Sequence, residues 1–264
     1  MEHPSAAEEW SLRTKLAAIR DAGFDGVCWG PSEELTALAR EYDLLFVGGM
    51  APATAAEITP ALHALARSGT RYVNVQLATD MTPAGEALAM CLQLEREARV
   101  LGLQPVIETH RGTCTETPEK FYALADAYEQ ATGEPLAVAW DFSHFGVVKH
   151  LLPEHFAPRL LVRPEMVQQA NHFHLRPFNG HHAQVPIVGV DGCLTREVRE
   201  WLPFAEQVLR LWLAVPSNAE RELFVCPELG PQLGGYALST FAASWPQAVA
   251  LRQVILDLWQ RLHA

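Results

Sequence analysis

Little in this chain suits a polyanion, a membrane or an oxidising compartment. Lys and Arg number 20 against 31 Asp and Glu, a formal charge of −11, and nowhere do basic residues run together. Nucleic-acid backbones are held mainly by Lys and Arg that displace counterions, so no nucleic-acid partner is expected. No apolar run approaches the ~20 residues of a membrane-spanning helix, which argues against a membrane partner. The first residues, MEHPSAAEEW, are polar and acidic, unlike a secretory or mitochondrial leader. The five cysteines (Cys28, Cys91, Cys114, Cys193 and Cys226) are odd in number and form no CxxC pair, which speaks against a disulfide framework or a cysteine zinc site. GxGxxG and Walker loops are missing too, and with them the usual marks of an open nucleotide-binding sheet. The expectation is a soluble, cytoplasmic protein with free thiols.

What the chain has is apolar matter in a regular order. Its 264 residues are 49% hydrophobic, enough for a sizeable core without disulfides. Helix and strand signals alternate almost from the start. Leu12, Leu16 and Ile19 share a helical face, and FDGVCWG follows as a strand. Ser32 predicts the N-cap of a helix over SEELTALAREYD, with LLFVGGM next. Helices around ITPALHALARSG and from about Pro83 to Leu101 flank the strand RYVNVQLATD. QPVIETH precedes a helix with Thr117 as N-cap, Pro118 at its first position and Gly133 at its stop. LAVAWDFSH, NHFHLRP and ELFVCPELG complete the strands, with helices near 164–170 and 195–214. A terminal helix carries the stripe Leu251, Val254, Ile255, Leu258 and Leu262. Repeated βα units predict a parallel sheet covered by helices. With no Pro- or Ser-rich linker, residues 1–264 read as a single domain, an α/β chain of the (β/α)8 TIM-barrel type. Only seven strands are clear, so the first is degenerate within residues 3–9 or missing. The exposed edge this leaves would need a loop, a helix or another subunit, which makes room for a homo-oligomer.

Four of the strand signals end in metal-capable side chains: Glu108 in QPVIETHRG, Asp141 in LAVAWDFSH, His174 in NHFHLRP and Glu228 in LFVCPELGP. A barrel points successive strand ends at one spot, which is how a divalent cation gathers oxygen and imidazole donors from distant parts of a chain. Alternation sharpens this reading. His172, His174 and Arg176 share one face, with Phe173 and Leu175 on the other. Glu108 shares a face with His110, and Asp141 points inward while Trp140 and Phe142 point to the helices. A lone inward histidine is more often a core residue than a ligand; four donors on four strand ends favour a metal site. His172 lies one step deeper, suited to hydrogen bonding or to ligation. Arg176 would grip a substrate anion or pair with an acid. The segment FNGHHAQVPIVGVDG, with Gln184, lies where barrel loops build substrate pockets.

These motifs resemble the xylose isomerase-like barrels, which include ketose 3-epimerases, hydroxypyruvate isomerases and inosose dehydratases. The resemblance rests on KLAAIRDAGFDGV, E-T-H at 108–110, D-F-S-H at 141–144, H-F-H at 172–174 and P-E-L at 227–229, and spans nearly the whole chain. It implies that Glu108, Asp141, His174 and Glu228 bind one divalent ion, commonly manganese, with zinc, cobalt or magnesium as alternatives. It also implies that His144 contacts substrate. The chain departs from sugar 3-epimerases after H-F-H, where L-R-P-F-N-G replaces their acid, arginine and Pro-Gly turn. The stretch H-R-G-T-C-T-E-T-P-E at 110–119 is closer to the inosose dehydratases.

The expected activity is metal-dependent isomerisation or epimerisation of a small sugar, keto-sugar or polyol through an enediolate. Glu108 and Glu228 would remove and return the proton from opposite sides. Loss of a β-hydroxyl, with His144 or His110 as acid, would give a dehydratase instead. A non-catalytic sugar- or metal-binding barrel is the third reading, and a glycoside hydrolase, which needs only the two carboxylates, a fourth.

Overall fold

The computed structural model describes residues 9–231, 238 and 240–263. They form two compact units, 11–139 and 140–263 with residues 9 and 10. The first unit runs α1 (Leu12–Asp21), β1 (Gly26–Trp29), α2 (Glu33–Glu41), β2 (Leu45–Met50), α3 (Ala55–Ser68), β3 (Tyr72–Val75), α4 (Ala84–Val100), β4 (Gln104–Glu108) and α5 (Pro118–Thr132). Strand β5 (Val138–Trp140) straddles the boundary. After it come α6 (Phe142–Val148), α7 (Phe156–Leu160), α8 (Pro164–Gln169), β6 (His172–His174), α9 (Arg196–Leu213), β7 (Phe224–Cys226) and α10 (Ser244–His263). The seven strands lie in sequence order, and the registers of β1–β5 and of β6 with β7 are parallel. Strands that stay in order with a helical return after each give the α/β barrel topology expected above. The expected degenerate first strand lies outside the described residues, apart from Glu9.

The helices begin and end where local chemistry requires. Ser32 Oγ accepts from Leu35 N–H at 3.1 Å, satisfying one of the donors left open in the first turn of α2. Thr117 does the same for Lys120 N–H, with Pro118 following it. Gly133 closes α5 at φ 77°, a left-handed conformation in which a Cβ would be strained. In the first unit Leu16, Ile58, Leu62, Leu65 and Phe121 are wholly buried; in the second Phe145, Phe173, Val198 and Leu251 are. The stripe on α10 holds in part: Leu251, Ile255 and Leu258 are buried, while Val254 and Leu262 are half-buried. No described helix is long and apolar enough to cross a membrane.

Two stretches differ from the sequence expectations. The strand signal LAVAWDFSH stops at Trp140, and Asp141 becomes the N-cap of α6, its carboxylate accepting from Ser143 N–H at 2.9 Å. Trp140 and Phe142 therefore do not alternate along a strand; their rings stack 4.8 Å apart. Capping by an Asp competes with strand continuation, and here it wins. The segment 153–160, given no helix by periodicity, forms a 3₁₀ turn and then α7.

The β1–β2 pairing leaves no room beside Gly26. A Cβ there would lie 2.5 Å from the Leu45 carbonyl oxygen and 2.9 Å from Leu45 Cβ, and backbone cannot step aside as a side-chain tip can. Gly26→Ala is expected to destabilise the protein by about 1–3 kcal/mol, as overpacking does. Urea unfolding reads this; an unchanged midpoint would mean that β1 shifts freely along β2.

Candidate metal centre

In the first unit, β4 ends on Glu108, which is fully buried. Two amides from β3 and its exit hold one of its oxygens: Asn74 Nδ2 donates to Oε2 at 2.7 Å and Gln76 Nε2 at 3.1 Å. The N-x-Q pair in RYVNVQLATD is the sequence signal for this, since two amides on one strand face need an acceptor when buried. Beyond Glu108 the chain is tied by threonines. Thr115 Oγ1 donates to the Glu108 carbonyl and Thr113 Oγ1 to the His110 carbonyl, each at 2.7 Å, while His110 N–H donates to Thr115 Oγ1 at 3.1 Å. His110 Nδ1 lies 2.6 Å from the Arg111 carbonyl. A carbonyl only accepts, so Nδ1 carries a proton, and in the neutral imidazole the lone pair is then on Nε2.

In the second unit, Asp141, His174 and Glu228 each offer a ligand atom within 4.8 Å of the others. Asp141 and His174 are buried and Glu228 half-buried. The helix cap fixes Asp141: its Oδ1 accepts from Ser143 N–H and from Ser143 Oγ at 2.5 Å. Its Oδ2 accepts from Arg176 Nη2 at 2.5 Å and lies 3.3 Å from His144 Nε2. His174 Nδ1 lies 3.1 Å from Glu228 Oε2, and Arg176 Nη1 lies 3.3 Å from the same oxygen. Burial pushes the Asp141 carboxyl up, but Arg176, His144 and His174 outweigh it and hold it well below the usual carboxylate range. Glu228 is lowered for the same reason: burial opposes ionisation, and Arg176 and His174 overcome it. Both acids are thus ionised at neutral pH.

That donor set could hold a divalent cation. Ions of this kind bind carboxylate oxygen and imidazole nitrogen at ~2.0–2.6 Å, so ligand atoms on one ion lie within about 5 Å of each other, as these do. Two ionised carboxylates and one imidazole suit manganese, zinc or magnesium better than a thiol-seeking metal.

The remaining expected residues take distinct places. His172 sits in β6 with its ring 5.0 Å from that of His174. His144 and Arg176 adjoin Asp141, their nitrogens 3.1 Å apart. Gln184 is buried and turned to backbone: its Nε2 donates to the Gly230 carbonyl at 2.9 Å, and its Oε1 accepts from Gly230 N–H at 2.8 Å. This pairs the segment after β6 with the segment after Glu228, as one strand pairs with another. Gln247 of α10 does likewise, its Oε1 accepting from Ile187 N–H and Val188 N–H at 2.6 and 2.9 Å. Sequence reasoning missed Ser143 and Gln247. The hydroxyl two residues after a helix-capping Asp was a readable signal for Ser143; nothing local marked Gln247, which acts 59 residues away. An open groove of about 1270 Å³, lined by His150, Leu152, His181 and Glu200 among others, includes none of the expected site residues.

Gln184→Ala is expected to cost about 1–2 kcal/mol, because two buried backbone bonds go while Ser244 Oγ still reaches the Gly230 carbonyl. Urea unfolding measures it. A cost near zero would mean that water replaces the amide without loss.

No protein-family model matches the sequence, and a search of curated proteins finds no match. Solved structures do match. An L-ribulose 3-epimerase covers 96% of this chain and 90% of its own, with a TM-score of 0.66 at 12% identity. A D-allulose 3-epimerase from Methylomonas sp. covers 94% and 93%, with a TM-score of 0.62 at 14% identity. A xylose isomerase-like TIM barrel protein from Mycobacterium smegmatis, in complex with magnesium, covers 99% and 91%, with a TM-score of 0.59 at 16% identity. The fold is the TIM barrel of these structures. Its extent leaves few residues over, so the strand ends bearing Glu108, Asp141, His174 and Glu228 belong to that fold and not to an appended module.

Proposed function

We propose that the protein is a divalent-metal-dependent isomerase or epimerase of a small sugar, keto-sugar or polyol. The observation that carries this is the Asp141–His174–Glu228 cluster, two ionised carboxylates and an imidazole at the ends of β5–β7 in a xylose isomerase-like barrel. Solved proteins of this fold include sugar epimerases, among them a D-allulose 3-epimerase in complex with D-allulose. Glu108, from the end of β4, is the proposed fourth ligand. A bound divalent ion would supply Lewis-acid polarisation of a substrate carbonyl.

The protein's own groups would do the rest. Glu228, ionised and half-buried, would take the proton from the carbon beside the carbonyl. Glu108, entering the step as the carboxylic acid, would give its own proton to the opposite face or the neighbouring carbon. Exchange with solvent would then return Glu228 to the carboxylate and Glu108 to the acid. The two amides on Glu108 Oε2 would keep that carboxyl group in one orientation. His144 and Arg176, beside Asp141, would bind substrate hydroxyls, and His110, whose lone pair is on Nε2, would accept from another. His172 would orient His174, and Gln184 would position the Glu228 segment through Gly230.

The test is exchange of substrate carbon-bound hydrogen with D₂O, followed by NMR across ketoses and inososes, with Mn²⁺, Mg²⁺ or chelator. Metal-dependent exchange with a new sugar supports the reading. Turnover that survives complete chelation overturns the metal's part. Loss of water from the substrate would make the protein a dehydratase, a reading favoured by H-R-G-T-C-T-E-T-P-E at 110–119. Binding without exchange would make it a non-catalytic module.

A further inference from the structure

Arg176 stands two residues beyond His174 and is 1% exposed, among the largest fully buried side chains of the protein. Its guanidinium is built into the carboxylate cluster. Nε donates to Ser143 Oγ at 3.0 Å, Nη2 to Asp141 Oδ2 at 2.5 Å, and Nη1 lies 3.3 Å from Glu228 Oε2. A buried guanidinium needs such partners, and buried carboxylates need a cation. Arginine never gives up its charge to relieve the arrangement. Asp141 and Glu228 are also the two carboxylates that the proposed metal requires. The cluster therefore already holds one positive charge on two of the ligands.

We infer that Arg176 is a built-in cation that competes with the divalent metal for Asp141 and Glu228, holding the cluster together without metal and keeping metal affinity low. The inference rests on the metal reading of the site. Two like charges sharing the same carboxylates repel one another, so the ion enters only as Arg176 loosens its hold. Ser143 anchors the guanidinium from the side away from Glu228, through Nε, and fixes Asp141 Oδ1 at the same time. It sets how readily that loosening occurs.

The test measures Mn²⁺ binding to the full chain by calorimetry, and thermal unfolding with chelator and with Mn²⁺. Arg176→Met removes the charge at similar length, and Arg176→Lys keeps it. Arg176→Met is expected to bind Mn²⁺ at least tenfold more tightly than the parent, and Arg176→Lys within threefold of it. In chelator Arg176→Met should unfold at a lower temperature than the parent, and Mn²⁺ should raise its midpoint by more than it raises the parent's. Should Arg176→Met not fold, Ser143→Ala carries the test, with an expected gain of about threefold in Mn²⁺ affinity. Equal or weaker binding by Arg176→Met, or by Ser143→Ala in its place, overturns the competition while leaving the metal site standing. Absence of Mn²⁺ binding in the parent and every variant overturns the metal reading itself.

Discussion

Asp141→Ala is expected to cost the folded protein about 3–5 kcal/mol, the range found when one partner of a buried ion pair is removed. Three losses coincide at this carboxylate. Arg176, 1% exposed, keeps a charge that no longer has Asp141 against it. The first turn of α6 loses its cap, by itself about 1 kcal/mol. Ser143 Oγ loses the acceptor that orients it toward Arg176 Nε. Asp141→Asn, which keeps an oxygen for the cap, should lose less. The pH dependence follows from the direction of the shift. The Asp141 and Glu228 carboxyls titrate lower in the folded protein than in the unfolded chain, where they sit near 3.9 and 4.3. Their stabilisation is therefore whole above those unfolded values and disappears as pH falls through the folded ones. Urea unfolding at pH 7 and at steps below pH 4.5 checks this: the parent should weaken with acid and Asp141→Asn should weaken less. Parallel pH profiles, or a cost under 1 kcal/mol for Asp141→Ala, would remove Asp141 from its place as the counter-charge of Arg176.

Glu228→Gln is expected to lower the rate of substrate hydrogen exchange by about 10²–10⁴-fold, the usual worth of a positioned general base. The amide keeps the size of the side chain and an oxygen for His174, but it cannot take a proton from carbon. Because Glu228 is also a proposed metal ligand, the rate is read at saturating Mn²⁺, where the effect should fall mainly on kcat, since binding of the substrate's hydroxyls is assigned to other groups. A variant with the parent's exchange rate would show that Glu228 is no base. A variant with unchanged kcat and raised KM would assign it to binding alone. Glu228→Gln also removes a charge that faces Arg176 Nη1 at 3.3 Å, so unfolding should be measured alongside to separate lost chemistry from lost structure.

The fold was largely legible because each βα unit carries its own local signals. Ser32, Thr117, Pro118 and Gly133 act within a turn of the helices they bound, so their sequence context is their structural context. Asp141 was harder for the opposite reason. Its strand run and its capping role compete over the same three residues, and periodicity alone does not show that the cap prevails. Within the site, the donors stood out because buried charge at a strand end is costly without a partner. The partners themselves were less legible. That Arg176 would meet Asp141 and Glu228 together, and that Gln184 would meet Gly230, depends on pairings across 35, 52 and 46 residues. Such pairings leave no periodic trace.

The two glutamines that clasp the segment after β6 have a practical consequence for varying this protein. Gln184 and Gln247 grip main-chain atoms alone (those of Gly230, Ile187 and Val188), so the grip does not depend on the side chains at the positions gripped. The stretch from 177 to 195 is thereby a cassette with fixed clasps. His181 and His182, exposed and half-buried, can be randomised in a library while the clasps and the buried Phe178, Val185 and Ile187 keep the frame, and selection on a sugar panel would then act on preference more than on folding.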